Sequence, residues 1–99
     1  MYIGEFHPAD SDESENYAFD FRKDLDFGET ISSVVFYITV IDGLDALPGS
    51  RMVGPAVVNG TQVRQRIAGL VTGVTYKLEA VVTTSQSNAK SLWGRVSCK

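Results

Sequence analysis

Residues 70–84 place the strongest constraint on the fold of this chain. From residue 74 onward apolar side chains occupy every second position, namely Val74, Tyr76, Leu78, Ala80 and Val82. An alternation with a period of two is typical of a β-strand that buries one face. Gly73 precedes the run and can adopt a positive φ, so the chain can turn sharply before it extends. The pattern predicts a long strand, in which each large buried side chain contributes about 1.5–3 kcal/mol.

Two segments in the first half of the chain also have strand patterns. Residues 16–21 alternate between apolar and polar positions, with three aromatic side chains on one face. Residues 29–41 form a longer run, and from Val34 onward both of its faces are apolar. A continuous apolar run predicts a central strand that is buried on both sides. The serine pair 32–33 predicts either a break between two strands or a β-bulge.

A β-hairpin is predicted around Asn59-Gly60, the strongest local turn signal in the chain. Asn-Gly supplies both positive-φ positions of a type I′ turn. The preceding residues 42–54 predict a long connection. On the strand after the turn, Arg64 and Arg66 share the face opposite the apolar residues. This arginine row indicates contact with solvent or with an anionic partner.

The last strand pattern covers residues 90–98 and leaves two orientations open. In one, the aliphatic residues face the core, and Trp93 lies on the outer surface beside Arg95. An exposed aromatic side chain next to a cation is suited to a protein contact site. In the other, a bulge at Gly94 reverses the phase, and Trp93 becomes a core residue.

A chain of 99 residues, of which 43% are apolar, is large enough for one domain with a single core. Cys98 is the only cysteine, which excludes an intrachain disulfide and favours a reducing compartment. The first twenty residues contain no apolar run longer than three residues, which argues against a signal peptide or a membrane span. We therefore expect one soluble all-β domain over residues 16–99, made in the cytoplasm.

Residues 1–15 predict an extended, acidic N-terminal arm. Asp10, Asp12 and Glu13 resemble the start of a calcium loop, but the glycine and the distal glutamate of such a loop are missing. No metal site is therefore predicted. These three acids are instead candidates for a contact with a partner.

Charge is divided unevenly along the chain. Residues 1–49 contain eleven acidic and two basic residues, a net charge of −9, whereas residues 50–99 contain one acidic and seven basic residues, a net charge of +6. Two explanations are open. Either the halves lie side by side and pair their charges, or the acidic arm of one copy docks on the basic face of a neighbouring copy.

Residues 67–78, Ile-Ala-Gly-Leu-Val-Thr-Gly-Val-Thr-Tyr-Lys-Leu, are similar to the corner between strands E and F of fibronectin type III and related immunoglobulin-like sandwiches. An apolar residue, a Gly-Leu pair, a turn glycine and a strand tyrosine recur there at this spacing. The resemblance implies an immunoglobulin-like antiparallel β-sandwich of about seven strands. It also implies that Tyr76 is structural, because the tyrosine of such a corner hydrogen-bonds back to the backbone.

A second resemblance covers nearly the whole chain. Residues 16–21 (Asn-Tyr-Ala-Phe-Asp-Phe), 27–33 (Phe-Gly-Glu-Thr-Ile-Ser-Ser) and 82–85 (Val-Thr-Thr-Ser) resemble small tailed-bacteriophage proteins described as fibre-tail adaptors. The resemblance implies a structural virion protein, either such an adaptor or an accessory or decoration component. Its implied partners are other virion proteins of the tail, fibre, connector or capsid, with an oligomeric state in the particle. Many such proteins have a glycine in the turn that residues 86–88 form here.

Catalysis is not supported. The chain has one histidine and one cysteine, and it lacks a phosphate-binding glycine loop and a nucleophile elbow, so a nucleophile would have no acid-base partners. No cofactor is implied. An alternative function is a carbohydrate- or host-surface-binding module with Trp93 as a stacking platform. Nucleic-acid binding is disfavoured because the acidic first half would repel phosphate.

Overall fold

Seven strands and one short 3-10 helix, Pro48–Arg51, make up the regular structure of the computed structural model, which describes residues 1–99. The strands are β1 (Tyr2–Glu5), β2 (Ser14–Asp20), β3 (Ile31–Asp42), β4 (Met52–Asn59), β5 (Gln62–Ala68), β6 (Thr75–Thr84) and β7 (Ala89–Ser97). No helix of the chain has the length and apolar character needed to cross a membrane.

The strands form two sheets, one in the order β1-β7-β6-β3 and the other in the order β2-β5-β4. The predicted all-β sandwich is therefore confirmed, while its immunoglobulin-like subtype stays a prediction. Neighbouring strands are antiparallel except for β1 and β7, which pair in parallel. This parallel pair departs from the purely antiparallel arrangement that we predicted.

β6 occupies the centre of the larger sheet, where it pairs with β3 and β7. The predicted alternation is confirmed, because the row from Tyr76 to Val82 is fully buried. This row packs in one core with side chains of the facing sheet, among them Phe19, Val63 and Ile67. The period-two pattern therefore identified one wall of the core correctly.

Tyr76 fixes the loop before β6. Its hydroxyl accepts a hydrogen bond from the backbone N–H of Val71 at 3.0 Å and donates one to Oδ2 of Asp45 at 2.8 Å. Asp45 also accepts hydrogen bonds from Nε and Nη2 of Arg51, at 3.0 and 3.1 Å. The hydrogen bonds from Arg51 and Tyr76 hold the pKa of this carboxyl well below its usual value. Tyr76 thus has a structural role, and Asp45 attaches the long connection after β3 to the core.

The β4–β5 hairpin is present, but its turn lies one residue later than predicted. Asn59 pairs with Gln62, so the two-residue loop consists of Gly60 and Thr61. Gly60 has a φ of +65°, whereas neither Asn59 nor Thr61 has a positive φ. A single positive φ at the first loop position is the pattern of a type II′ turn, and the predicted type I′ turn is therefore wrong.

β3 lies at the edge of its sheet, so the prediction of a central strand is wrong. Its only sheet neighbour is β6. Phe36 and Ile38 face the core, but Val35 and Tyr37 lie on the opposite face and are each 52% exposed. The apolar residues on the second face of β3 predicted that this face is also buried, but no part of the sandwich covers Val35 and Tyr37. Between Ile31 and Ser33 the pairing register shifts, which agrees with the predicted bulge at the serine pair.

The N-terminal segment, predicted as an arm, lies along β7. The carbonyl of Met1 accepts a hydrogen bond from the N–H of Trp93, and the N–H of Phe6 donates to the carbonyl of Arg95. The Phe6 ring packs above Gly94, where a Cβ atom would lie 2.7 Å from Cε2 of Phe6. Gly94 therefore leaves the space in which this ring enters the sandwich.

Candidate contact surfaces

The residues predicted to contact partners lie in three separate places. Trp93 and Arg95 belong to the outer face of the four-stranded sheet, because the alternate residues of β7, including Leu92 and Val96, are buried. Arg64 and Arg66 are exposed on the outer face of the three-stranded sheet, on the opposite side of the sandwich. The acids Asp10, Asp12 and Glu13 form the turn between β1 and β2. The structure does not bring these groups together in one site.

Trp93 is half-buried on the outer face and is held by two neighbours. Its ring centroid lies 4.6 Å from that of Tyr2, with an angle of 47° between the ring planes. Nζ of Lys77 lies 4.7 Å from the indole centroid, a distance suited to a cation–π interaction. Of the two orientations left open by the sequence, the structure has the outward one. The indole is nevertheless partly covered by residues of the same chain.

Arg95 lies beside Trp93 in a cluster of charges. Its Nη1 atom is 4.0 Å from Oε1 of Glu5, and its buried Nε atom has no hydrogen-bond partner. Across the sheet Arg95 is paired with Lys77. Two cations directly opposite each other on neighbouring strands repel, so this position favours an additional anionic or hydrogen-bond-accepting group from outside.

The outer face of the four-stranded sheet carries more apolar area than the sequence analysis predicted. The register places Tyr2, Trp93, Glu79 and Tyr37 in one row across all four strands. We define the aromatic face as Tyr2, Val35, Tyr37, Lys77, Glu79, Val81, Trp93 and Arg95. Tyr2 and Tyr37 are not among the contact residues predicted from the sequence, although the apolar residues on the second face of β3 were a signal for Tyr37.

The two arginines of the arginine row, Arg64 and Arg66, form no ion pair with acids of the same chain. Nη1 of Arg66 donates hydrogen bonds to the carbonyl and the hydroxyl of Ser14, at 3.2 and 3.1 Å. Arg64 is exposed and forms no ion pair in the structure. Val53 and Val57 lie on the same outer face of β4, opposite Arg66 and Arg64. This surface is therefore cationic with exposed aliphatic side chains.

The acidic turn is organised by its own hydrogen bonds. The N–H of Asp10 donates to Oε1 of Glu13, the N–H of Asp12 donates to Oδ1 of Asp10, and the N–H of Glu13 donates to the Asp10 carbonyl. None of the three acids forms an ion pair. No group of His, Cys, Asp and Glu side chains is placed to hold a metal ion.

Pairing within the molecule accounts for only a small part of the charge division along the chain. Both ion pairs, Arg51–Asp45 and Arg95–Glu5, join the basic half to the acidic half. The acidic turn and the arginine row take no part in either pair. These charges therefore remain available for contacts with other molecules.

Glu29 is a buried acid with a structural role. Its carboxylate accepts hydrogen bonds from the Thr84 hydroxyl, the Asp26 N–H and the Asn88 side-chain amide. These bonds, the one from Thr84 first, lower the pKa of Glu29 from 4.5 to about 2. Glu29 thereby joins the loop before β3 to the β6–β7 turn. Cys98 is also buried, and burial raises the pKa of its thiol.

Comparison with known protein families gives a match over most of the chain. Residues 10–92 match the model of the podophage GP4 fiber-tail adaptor protein gp77 family. The chain belongs to this family. No curated protein and no solved structure matches the chain.

Membership of the gp77 adaptor family establishes a structural role in the phage tail, in a family of structural proteins rather than enzymes. The resemblance to fibre-tail adaptors found in the sequence is thereby confirmed. The matched range contains β2 to β6 and β7 only as far as Leu92, so Tyr2, Trp93 and Arg95 lie outside it. The family match therefore does not reach Trp93 and Arg95, and it assigns no contact role to the predicted residues inside the matched range.

Proposed function

We propose that this protein joins the phage tail to its fibres through direct protein–protein contacts, with the aromatic face as the main contact surface. The family match over residues 10–92 is the observation that carries the proposal. The protein is made in the host cytoplasm and then becomes part of the virion. Its partners are other virion proteins, and it is oligomeric in the assembled particle.

The aromatic face supports this role by its composition and exposure. Protein interfaces are enriched in tyrosine, tryptophan and arginine, and a few such residues provide most of the binding energy. Val35 and Tyr37 are open to solvent, while Trp93 is held in place by Tyr2 and Lys77. A preordered aromatic side chain loses little conformational entropy on binding. The face therefore combines exposed apolar area with one fixed aromatic residue.

The opposite side of the sandwich is a second, charged contact in this proposal. Arg64 and Arg66 are exposed there, and the separate turn before β2 adds the acids Asp10, Asp12 and Glu13 as a further charged contact. None of these five residues forms an ion pair within the chain. Charged groups of this kind steer partners and set the orientation of binding more than they add affinity.

A carbohydrate-binding function has less support. A sugar stacks on an open aromatic face, but Lys77 lies over the Trp93 ring and Tyr2 packs against it. A bound sugar would have to displace at least one of these side chains. We therefore prefer protein partners for this surface.

The proposal is tested with a phage from which the native gene is deleted. The protein is supplied from a plasmid in the host cell in which the particles assemble. We expect mass spectrometry of purified virions to detect the wild-type chain. Trp93→Ala and Arg95→Ala should lower the incorporated amount at least about 10-fold, since each removes a central contact of the aromatic face. Gln62→Ala, an exposed position on the opposite sheet, is the matched control and should be incorporated normally.

Two outcomes contradict the proposal in different ways. Absence of the wild-type chain from infectious particles overturns the virion role. Normal incorporation of both Trp93→Ala and Arg95→Ala, with the wild-type chain present, overturns the assignment of the aromatic face alone. Circular dichroism of each purified variant verifies that it is folded before its incorporation is interpreted.

A further inference from the structure

We infer that two copies of this chain pair edge to edge through β3, in an antiparallel arrangement that makes one continuous eight-stranded sheet from two four-stranded sheets. This inference does not depend on the proposed role in the virion. It rests on the backbone, the charge and the length of the β3 edge.

The outer edge of β3 has unpaired backbone groups. β6 is the only strand that pairs with β3. None of the loop, turn or side-chain hydrogen bonds involves the backbone N–H or C=O of residues 33–41. The groups that point away from β6 are therefore free to pair with another strand, and a row of such groups is a template for strand addition.

β3 also lacks the features by which edge strands usually prevent such pairing. Its twelve residues Ile31–Asp42 include no lysine, arginine, proline or glycine, and the only charge is Asp42 at its end. Natural edges are protected by short length, charged side chains, proline or bulges that interrupt the pairing surface. In β3 the two register shifts lie near its ends, between Ile31 and Ser33 and between Val40 and Asp42, and they leave residues 34–40 regular.

The other three edges of the sandwich have these protective features. β1 has four residues and includes Gly4 with a φ of +115°. β4 contains the Gly54-Pro55 pair, where its register is shifted. β2 carries Glu15 and Asp20. β3 is the one edge of the molecule that is long, uncharged along residues 31–41 and free of proline.

A second copy of β3 is the occupant that fits this edge best. A two-fold axis at Tyr37 places that residue opposite its own symmetry mate, Val35 opposite Thr39 and Ser33 opposite Ile41. Every outward pair is then uncharged, so no ion is left unpaired at the junction. Aromatic side chains that lie directly opposite each other on neighbouring strands, such as Tyr37 and its symmetry mate, stabilise the pairing. An isologous contact of this kind closes on itself as a dimer rather than growing into a fibre.

The pairing is tested by light scattering and sedimentation of the purified 99-residue chain. We expect a species of twice the 10.8 kDa chain mass at concentrations of about 1–500 µM, the range of contacts with small buried area. Tyr37→Lys introduces two like charges at the axis and should raise the dimer dissociation constant at least about 10-fold. Gln62→Lys, on the central strand of the other sheet, should leave it unchanged.

Oxidative cross-linking tests the register separately. Tyr37→Cys places two thiols across the axis, within reach of a disulfide, whereas Lys77→Cys on the same outer face lies away from the axis. A covalent dimer formed by Tyr37→Cys and not by Lys77→Cys supports the inference. A wild-type chain that stays monomeric, a dimer that Tyr37→Lys leaves intact, or equal cross-linking of both cysteine variants overturns it.

Discussion

The hydroxyl of Tyr76 and the carboxylate of Asp45 are joined by a 2.8 Å hydrogen bond across a sequence separation of 31 residues. Tyr76 belongs to the central strand β6, whereas Asp45 lies in the irregular connection between β3 and β4. The bond therefore attaches a long loop to the least exposed part of the core. A similar principle operates at Glu29, which joins two other loops.

Tyr76→Phe should lower the free energy of unfolding by about 1–3 kcal/mol. The change keeps the buried ring but leaves the Val71 N–H without a partner and removes one of the hydrogen bonds to Asp45, and an unsatisfied buried polar group carries a cost of this size. Urea denaturation monitored by tryptophan fluorescence measures the difference. Tyr37→Phe, at a 52% exposed position, is the control and should change stability by less than about 0.5 kcal/mol. Equal effects of the two variants would contradict the role of the Tyr76 hydroxyl.

Ser87→Gly should raise the free energy of unfolding by about 0.5–1 kcal/mol. Ser87 has a φ of +62°, the only positive φ of a non-glycine residue in the chain, and left-handed backbone is unfavourable for residues with a Cβ. Glycine avoids that cost, although it loses more entropy on folding. Gln86→Gly in the same turn has no positive φ to relieve and should be destabilising. Chemical denaturation measures the free energy of unfolding of both variants. If both variants are stabilised, or if neither is, the result argues against backbone strain at Ser87.

Glu29 should make the protein sensitive to acid. Its folded pKa is about 2, below the ordinary value of 4.5, so the folded state favours the charged carboxylate. The resulting stabilisation is fully present above pH 4.5 and is lost as the pH falls from 4.5 toward 2. Glu29→Gln should be less stable than wild type at pH 7 and should lose less stability over that acid range. Denaturation curves at several pH values give the free energy of unfolding of each protein as a function of pH. If this free energy falls equally with pH in wild type and Glu29→Gln, Glu29 does not have this role.

Gly94→Ala should loosen the N-terminal strand. The added methyl group would lie 2.7 Å from Cε2 of Phe6 and 3.1 Å from the Gly4 carbonyl oxygen, so the ring and the strand must shift. Overpacking of this kind costs about 1–3 kcal/mol. Hydrogen exchange should be faster at the amides of Phe6 and Trp93, which bond the two residues flanking β1 to β7. Phe6→Leu should rescue part of the loss, and an additive double mutant would indicate that the two residues do not interact.

Side-chain periodicity predicted the parts of the fold in which one face of a strand is buried. In β6 and β5 polar residues alternate with apolar ones, and the polar residues indicate which face is in contact with solvent. The apolar residues on the other face are in the core, as Tyr76, Leu78, Val63 and Ile67 show. The same reasoning failed for β3. Apolar residues on both faces do not reveal whether another strand will cover the second face, and in this fold none does.

Other errors concern pairing between distant segments. β1 was missed because its four residues are too few for a periodic pattern and are joined to β7 only through tertiary contacts. The outward orientation of Trp93 was one of two options, and the sequence contains no local signal that Tyr2 lies opposite it. The contact residues could therefore be proposed individually, but their separation into three places required the sheet order.

The pairing of β1 with β7 also has a consequence for biosynthesis. β1 is the earliest strand of the chain and β7 is the last, so Tyr2 and Phe6 leave the ribosome long before their backbone partners exist. At synthesis rates of about 5–20 residues per second, this interval is roughly 5–20 s. During that time the apolar N-terminal residues stay exposed on the nascent chain, and the larger sheet can be completed only after β7 has emerged.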